Sequence, residues 1–151
     1  MATNRDAFVV DASVAVKWEL RDEQFAPASA RLLERYSRGE VDLLAPDHIR
    51  YELASAVTLA TQGANARLTI QDGQEAIAEF LALGLTTVGT DALILAAYPL
   101  VHQFGIAIYD ALYLALALQT GYPLITADGT LYDRIRQLPL ATWVSDPRVQ
   151  Q

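Results

Sequence analysis

The sequence predicts an α/β fold: one domain with a central, mostly parallel β-sheet flanked by helices. Two observations predict it. Short apolar runs alternate with longer stretches of helical periodicity from Phe8 to Val144, the pattern of a parallel sheet covered on both faces. The 151 residues show no linker, repeat or low-complexity tract, so one domain spans the chain, with a core of about residues 7–145. Apolar residues make up 52% and charged residues 19%, which excludes disorder and fibrous repeats.

Phe8-Val9-Val10 reads as a buried strand ending at Asp11, and Ala12 to Leu20 as a short helix. Pro27 to Arg38 follows as a helix stopped by Gly39, and Asp42 to Ala45 as a second strand closed by Pro46. Asp47 to Gln62 carries Leu53, Ala56, Val57 and Ala60 at helical spacing, with Gly63 as its stop. Thr69 to Leu83 is a further helix, against which Gly73 counts, and Leu85 to Val88 a third strand. Thr90-Asp91 opens a helix towards His102 that Pro99 kinks or breaks. Ile106 to Tyr109 leads into Asp110, and Ala111 to Gln119 is a helix apolar nearly all round, hence buried. Gly121 ends it. Pro123 to Thr126 is the fourth strand, Asp128 opens a helix to Gln137, and Leu140 to Val144 is the last strand.

With 18 acids against 11 bases the net charge is −7. A simple nucleic-acid binder is basic, so the composition excludes one unless several carboxylates converge on divalent cations. Cysteine is absent, which excludes disulfides, thiol catalysis and cysteine zinc sites. The two histidines, His48 and His102, form no zinc pair. Nucleophile-elbow and phosphate-loop motifs are missing. The most apolar region, Ala92 to Leu118, is interrupted by Pro99, His102, Gln103, Gly105 and Asp110, and so falls short of the ~18 uninterrupted apolar residues of a membrane span. The first apolar run is too short for a signal peptide. A soluble, cytoplasmic protein is expected.

Ligands of a parallel sheet bind beyond the carboxyl ends of its strands. Asp11, Asp110 and Asp128 follow such ends, and Glu52 can join them from its helix. Singly, each has an ordinary explanation: Asp110, Asp128 and Asp91 as helix caps, Glu52 as a solvated helix charge. Asp11, however, interrupts an apolar segment, and Asp110 heads the most apolar helix. Burying a lone carboxylate is costly, and the single lysine, Lys17, and ten arginines offer no matching set of buried bases. Hard cations such as Mg²⁺ or Mn²⁺ suit this all-oxygen set. Two ions about 3.5–4 Å apart would acidify an attacking water and stabilise a leaving oxygen. Ser13 and Thr126 stand where they can orient the ligands, or simply bond to nearby loops and caps.

Other polar groups have bland readings beside functional ones. His48, one turn before Glu52, is expected at the surface, at most lining a groove edge. His102 meets a helix carboxyl end. Arg31, Arg35 and Arg38 share a helical face; with Lys17, Arg21 and Arg50 they either contact phosphates or stay solvated. Trp18, Tyr51, Tyr109 and Tyr113 either stack on bases or pack. Asp133 is read as a solvated charge, and the tail from Asp146 carries no pattern.

The segments Phe-Val-Val-Asp11-Ala-Ser13-Val, Ile-Arg-Tyr-Glu52-Leu-Ala-Ser-Ala-Val, Tyr-Asp110-Ala-Leu-Tyr-Leu-Ala-Leu-Ala and Leu-Ile-Thr126-Ala-Asp128 resemble, in that order, PIN-domain ribonucleases, and most of all the VapC-like toxins of toxin–antitoxin pairs. The resemblance runs from Phe8 to about Val144. It implies a compact PIN-like α/β domain. It also implies Mg²⁺- or Mn²⁺-dependent RNA cleavage leaving a 5′-phosphate and a 3′-hydroxyl. Asp11, Glu52, Asp110 and Asp128 match the family's acidic quartet, with Asp11 and Asp110 in the strongest motifs. Ser13 and Thr126 match its small hydroxyl positions. A homodimer and a small antitoxin that reaches into the acidic groove are implied as partners. Two rivals stand beside this: a phosphohydrolase with Asp11 as nucleophile, in which Ser13 occupies the place of the usual second Asp, and a non-catalytic partner-binding domain.

Overall fold

The computed structural model describes residues 5–151. Five strands form one sheet: β1 (Asp6–Val10), β2 (Val41–Pro46), β3 (Thr86–Val88), β4 (Leu124–Thr126) and β5 (Ala141–Trp143). Their order is β3-β2-β1-β4-β5, and every pairing is parallel, so the sheet is wholly rather than mostly parallel. The chain winds outward from β1 through β2 to β3, then restarts on the other side with β4 and β5. This puts the reversal between β1 and β4, where the crossovers leave a crevice at the strands' carboxyl ends.

Eight helices cover the sheet: α1 (Ala12–Glu19), α2 (Ala26–Ser37), α3 (Ile49–Thr61), α4 (Ile70–Ala82), α5 (Ile94–Phe104), α6 (Ile108–Thr120), α7 (Gly129–Ile135) and α8 (Pro147–Gln150). As its all-round apolarity predicts, α6 is the central one: every residue from Ala111 to Ala117 is buried. It packs on β1, β2 and β4, so its amino end meets the crevice. Among the described residues no single helix is long and apolar enough to cross a membrane.

Several expectations shift. The helix expected from Thr90 is a short 3₁₀ turn over Thr90–Ala92, and α5 then runs unbroken through Pro99. Proline removes the N–H that the Leu95 carbonyl would use, and Leu95 is highly exposed, where water can replace it. Gly73 does not weaken α4. A Cβ there would stand 2.8 Å from Thr61 Cγ2 and 3.0 Å from Val57 Cγ1; the missing side chain lets α4 lie close against α3. The start of α6 is Ile108, not Ala111, so Asp110 lies inside its first turn.

Arg31, Arg35 and Lys17 bind within the fold. Arg35 is buried and donates to the Arg148 and Val149 carbonyls at 3.2 and 2.8 Å, while Arg31 donates to the Gln150 carbonyl. These bonds tie α2 to the tail, where Asp146 caps α8. Lys17 is buried and donates to Glu23.

Candidate functional site

All four acidic residues stand at helix amino ends, around the crevice. Asp11 follows β1 at the N-cap position of α1; Glu52 and Asp110 lie in the first turns of α3 and α6; Asp128 is the N-cap of α7. Each helix presents free N–H groups and partial positive charge there, worth about 0.3–1 kcal/mol to an anionic neighbour. The capping explanation holds fully only for Asp128, whose Oδ1 accepts from the Thr130 and Leu131 amides at 2.9 and 3.2 Å. Asp11 makes no cap bond with its side chain, and the N-cap of α6 is Ala107 rather than Asp110. Asp91 follows Gly89, the N-cap of the 3₁₀ turn.

Asp11 is 3% exposed. Both of its hydrogen bonds fall on Oδ2, from Ser13 Oγ at 2.6 Å and Thr126 Oγ1 at 2.9 Å. The hydroxyls are themselves held by main chain: the Ala127 amide donates to Ser13 Oγ at 2.9 Å, and the Asp128 amide to Thr126 Oγ1 at 3.0 Å. Two short relays thus run from the β4–α7 connection to Asp11, and the hydroxyl protons are directed at the carboxylate because the amides occupy their acceptor side. Burial raises the Asp11 pKa to about 6; the two hydroxyls pull against that, and Glu52 and Asp128 push it further up.

Asp110 is raised to about 7, by burial first, then by the charges of Asp11, Asp128 and Glu52, with His48 opposing. Asp11 and Asp110 thus lie within electrostatic reach of each other and of Glu52 and Asp128. They are neighbours, not a closed shell: among the described residues, no three His, Asp or Glu side chains are gathered tightly enough to hold one ion. Repulsion between like charges opposes tighter gathering. The donor chemistry fits a hard divalent cation: every group is a carboxylate, Asp11 Oδ1 makes no hydrogen bond among the described residues, and no lysine or arginine there forms an ion pair with any of the four.

Glu52 is half-buried rather than solvated. Its Oε1 accepts from the Tyr113 hydroxyl at 3.0 Å and lies 2.7 Å from His48 Nε2. Tyr113 is fully buried, and its hydroxyl is held well above its usual pKa by that burial and by Asp11 and Glu52, so it stays a donor. His48 corrects the expectation of a surface position: it is 7% exposed. The histidine-to-acid spacing of four was visible beforehand; the aromatic pocket that buries it, made by Tyr109 and Tyr113, was not. Outside lies a hollow of about 690 Å³ lined by Tyr51, Glu52, Ser55, Leu59 and Tyr109 among others. Trp18 is core, with Nε1 donating to the Ser29 carbonyl, and Asp133 is exposed, away from the quartet.

Comparison with known proteins agrees with this layout. The family model described as "PIN domain" matches residues 8–137. Among solved structures, the chain is similar to PAE2754 from Pyrobaculum aerophilum, at 17% identity and a TM-score of 0.63, covering 93% of this chain and 91% of that one. It is also similar to VapBC2 from Rickettsia felis, determined bound to a DNA fragment from the proteins' promoter, at 13% identity and a TM-score of 0.59, covering 91% and 96%. At these identities the likeness is one of fold. No curated protein matches.

Proposed function

This chain belongs to the PIN domain family, and from that premise we propose that it is a divalent-metal-dependent endoribonuclease, the toxin of a toxin–antitoxin pair acting in the cytoplasm. One observation carries the reading. Four carboxylates from four helix amino ends neighbour one another at the sheet's reversal point with hydroxyl, imidazole and amide donors around them, and among the described residues no arginine or lysine is paired to them.

Asp11, Glu52, Asp110 and Asp128 hold Mg²⁺ or Mn²⁺. When bound, such an ion supplies an acidified water and neutralises charge on the phosphodiester. The protein's own groups prepare for it. Ser13 and Thr126 keep Asp11 Oδ2 occupied and the side chain fixed, leaving Oδ1 as the ligand atom. Tyr113 does the same for Glu52 Oε1. Tyr51 and Tyr109, both exposed beside Glu52, offer flat faces on which RNA bases stack.

Two partners complete the reading. A small antitoxin with basic residues fits an acidic crevice whose carboxylates, among the described residues, pair with no arginine or lysine. A second copy of the chain fits the exposed Tyr51, Leu59 and Tyr109 around the hollow beside Glu52, because large apolar groups gathered at a surface mark interaction sites.

Single-stranded RNA incubated with the purified chain in Mn²⁺ should be cut, and EDTA or Asp11→Asn should stop the cutting. RNA left intact in Mn²⁺ and Mg²⁺, or cut equally well by Asp11→Asn, overturns the nuclease; a trapped aspartyl-phosphate would move the assignment to a phosphohydrolase. Sedimentation across a concentration series tests the second copy.

A further inference from the structure

His48 occupies a singular place between two of the carboxylates. Its Nε2 has two oxygens in reach: Glu52 Oε1 at 2.7 Å, on the same helix, and the Tyr109 carbonyl at 3.1 Å, across on α6. Tyr109 is the residue immediately before Asp110. The ring is enclosed by Tyr113 and Tyr109, with centroids at 4.9 and 6.0 Å. Nδ1 is buried and has no hydrogen-bond partner among the described residues.

Those contacts fix the tautomer. A carbonyl and a carboxylate only accept, so the proton facing them is on Nε2. We propose that His48, donating its Nε2–H to the Tyr109 carbonyl, is the positioning residue that ties the amino end of α3, and with it Glu52, to the first turn of α6 and so sets the spacing of Glu52 from Asp110. The Tyr113 hydroxyl donates to Oε1, which leaves Oε2 for the ion. This inference rests on the metal-centre reading of Glu52 and Asp110. A ring that served packing alone would not need its nitrogen, and that difference makes the role measurable.

The test combines two variants, a cycle and a spectrum. His48→Phe keeps an aromatic ring and removes the N–H; His48→Gln places an amide N–H near the position of Nε2. With melting temperatures checked, His48→Phe should weaken calorimetric Mn²⁺ binding and kcat about tenfold or more, as loss of a ligand-orienting partner does, with KM little changed, and His48→Gln should recover most of both. In a Glu52→Gln background, His48→Phe should cost nothing further, because the effect passes through Glu52. Native Mn²⁺ binding in His48→Phe, equal losses in both variants, or losses that add in the double variant each overturn the proposal. The ¹⁵N ring shifts of the unmodified chain, assigned with His102→Asn, should show a protonated Nε2. A bare Nε2 overturns the proposal even where His48→Phe fails to fold. If Asp11→Asn also leaves RNA cleavage and Mn²⁺ binding intact, it is the metal-centre reading that has failed, and this inference falls with it.

Discussion

Two places in this molecule hold a carboxyl group whose pKa is raised, and they are built in opposite ways. The crevice stands at helix amino ends, with donors supplied by Ser13, Thr126, Tyr113 and main-chain amides. The second place is Glu19, the last residue of α1, beside Glu79 in the last turn of α4. There the helix ends are negative, and Glu19 is raised to about 7 by burial and then by the neighbouring Glu79, while Arg21 opposes. The crevice supplies donors that suit ionised carboxylates, so it is ready for a cation, while Glu19 meets burial and a second carboxyl group. A raised pKa alone does not mark a catalytic centre; the polarity of the helix ends and the source of the hydrogen bonds distinguish the two.

The largest expected effect separates the groups by activity. Asp11→Asn and Asp110→Asn should each lower RNA cleavage by about a thousandfold or more, the rate equivalent of several kcal/mol of lost ion-borne stabilisation, while Glu79→Gln stays near wild type. Initial rates on one RNA substrate decide it, and equal losses in all three would erase the contrast.

Next comes the relay. Thr126→Val keeps the shape of the buried side chain and removes a hydroxyl bonded to Asp11. A hydrogen bond to a charged group is worth about 1.5–3 kcal/mol, so kcat should fall at least tenfold, with Thr126→Ser restoring it. Wild-type kcat for Thr126→Val would remove the relay from the account.

Ion binding should appear as stability. Millimolar Mn²⁺ should raise the melting temperature by several degrees through linkage, an effect lost in Asp11→Asn and kept in Glu79→Gln. A titration that leaves melting unchanged for the wild type argues against an ion at the crevice.

The smallest effect is on pH dependence. Asp11, Asp110 and Glu19 have native pKa values of about 6, 7 and 7, above their ordinary ones. Between pH ~4 and ~7 the native state therefore binds more protons than the unfolded chain, so stability falls as pH rises through that window and levels off above it. Melting in EDTA should follow this course. Glu79→Gln should flatten part of the slope, and Mn²⁺ should flatten the part due to the crevice. A melting temperature that rises from pH 4 to 7 contradicts the arrangement of both groups.

Much of this was legible locally. Runs such as Phe8-Val9-Val10 and Leu124-Ile125-Thr126 announce strands because buried parallel strands are apolar on both faces. The acids that interrupt or end apolar segments announced themselves because an unpaired buried charge is expensive. Glycine gave a mixed signal. Gly121 ends α6 with φ at 73°, as its position suggests, but Gly73 reads as a flaw until Thr61 and Val57 are seen against it. His48 was misplaced to the surface for the same reason: nothing near it along the chain shows that Tyr109 and Tyr113, sixty residues away, enclose it.

By itself, the sequence determined the alternation of strands and helices, the positions of Asp11, Glu52, Asp110 and Asp128, and the oxygen-only chemistry they offer. These follow from periodicity, turn residues and the cost of buried charge, all of which act within a few neighbours. The strand order that opens a crevice between β1 and β4, the relay through Ser13 and Thr126, the strut at His48 and the meeting of Glu19 with Glu79 were decided only by tertiary structure. Each depends on which distant segments become neighbours, and that is settled by packing the whole chain around α6 and the sheet.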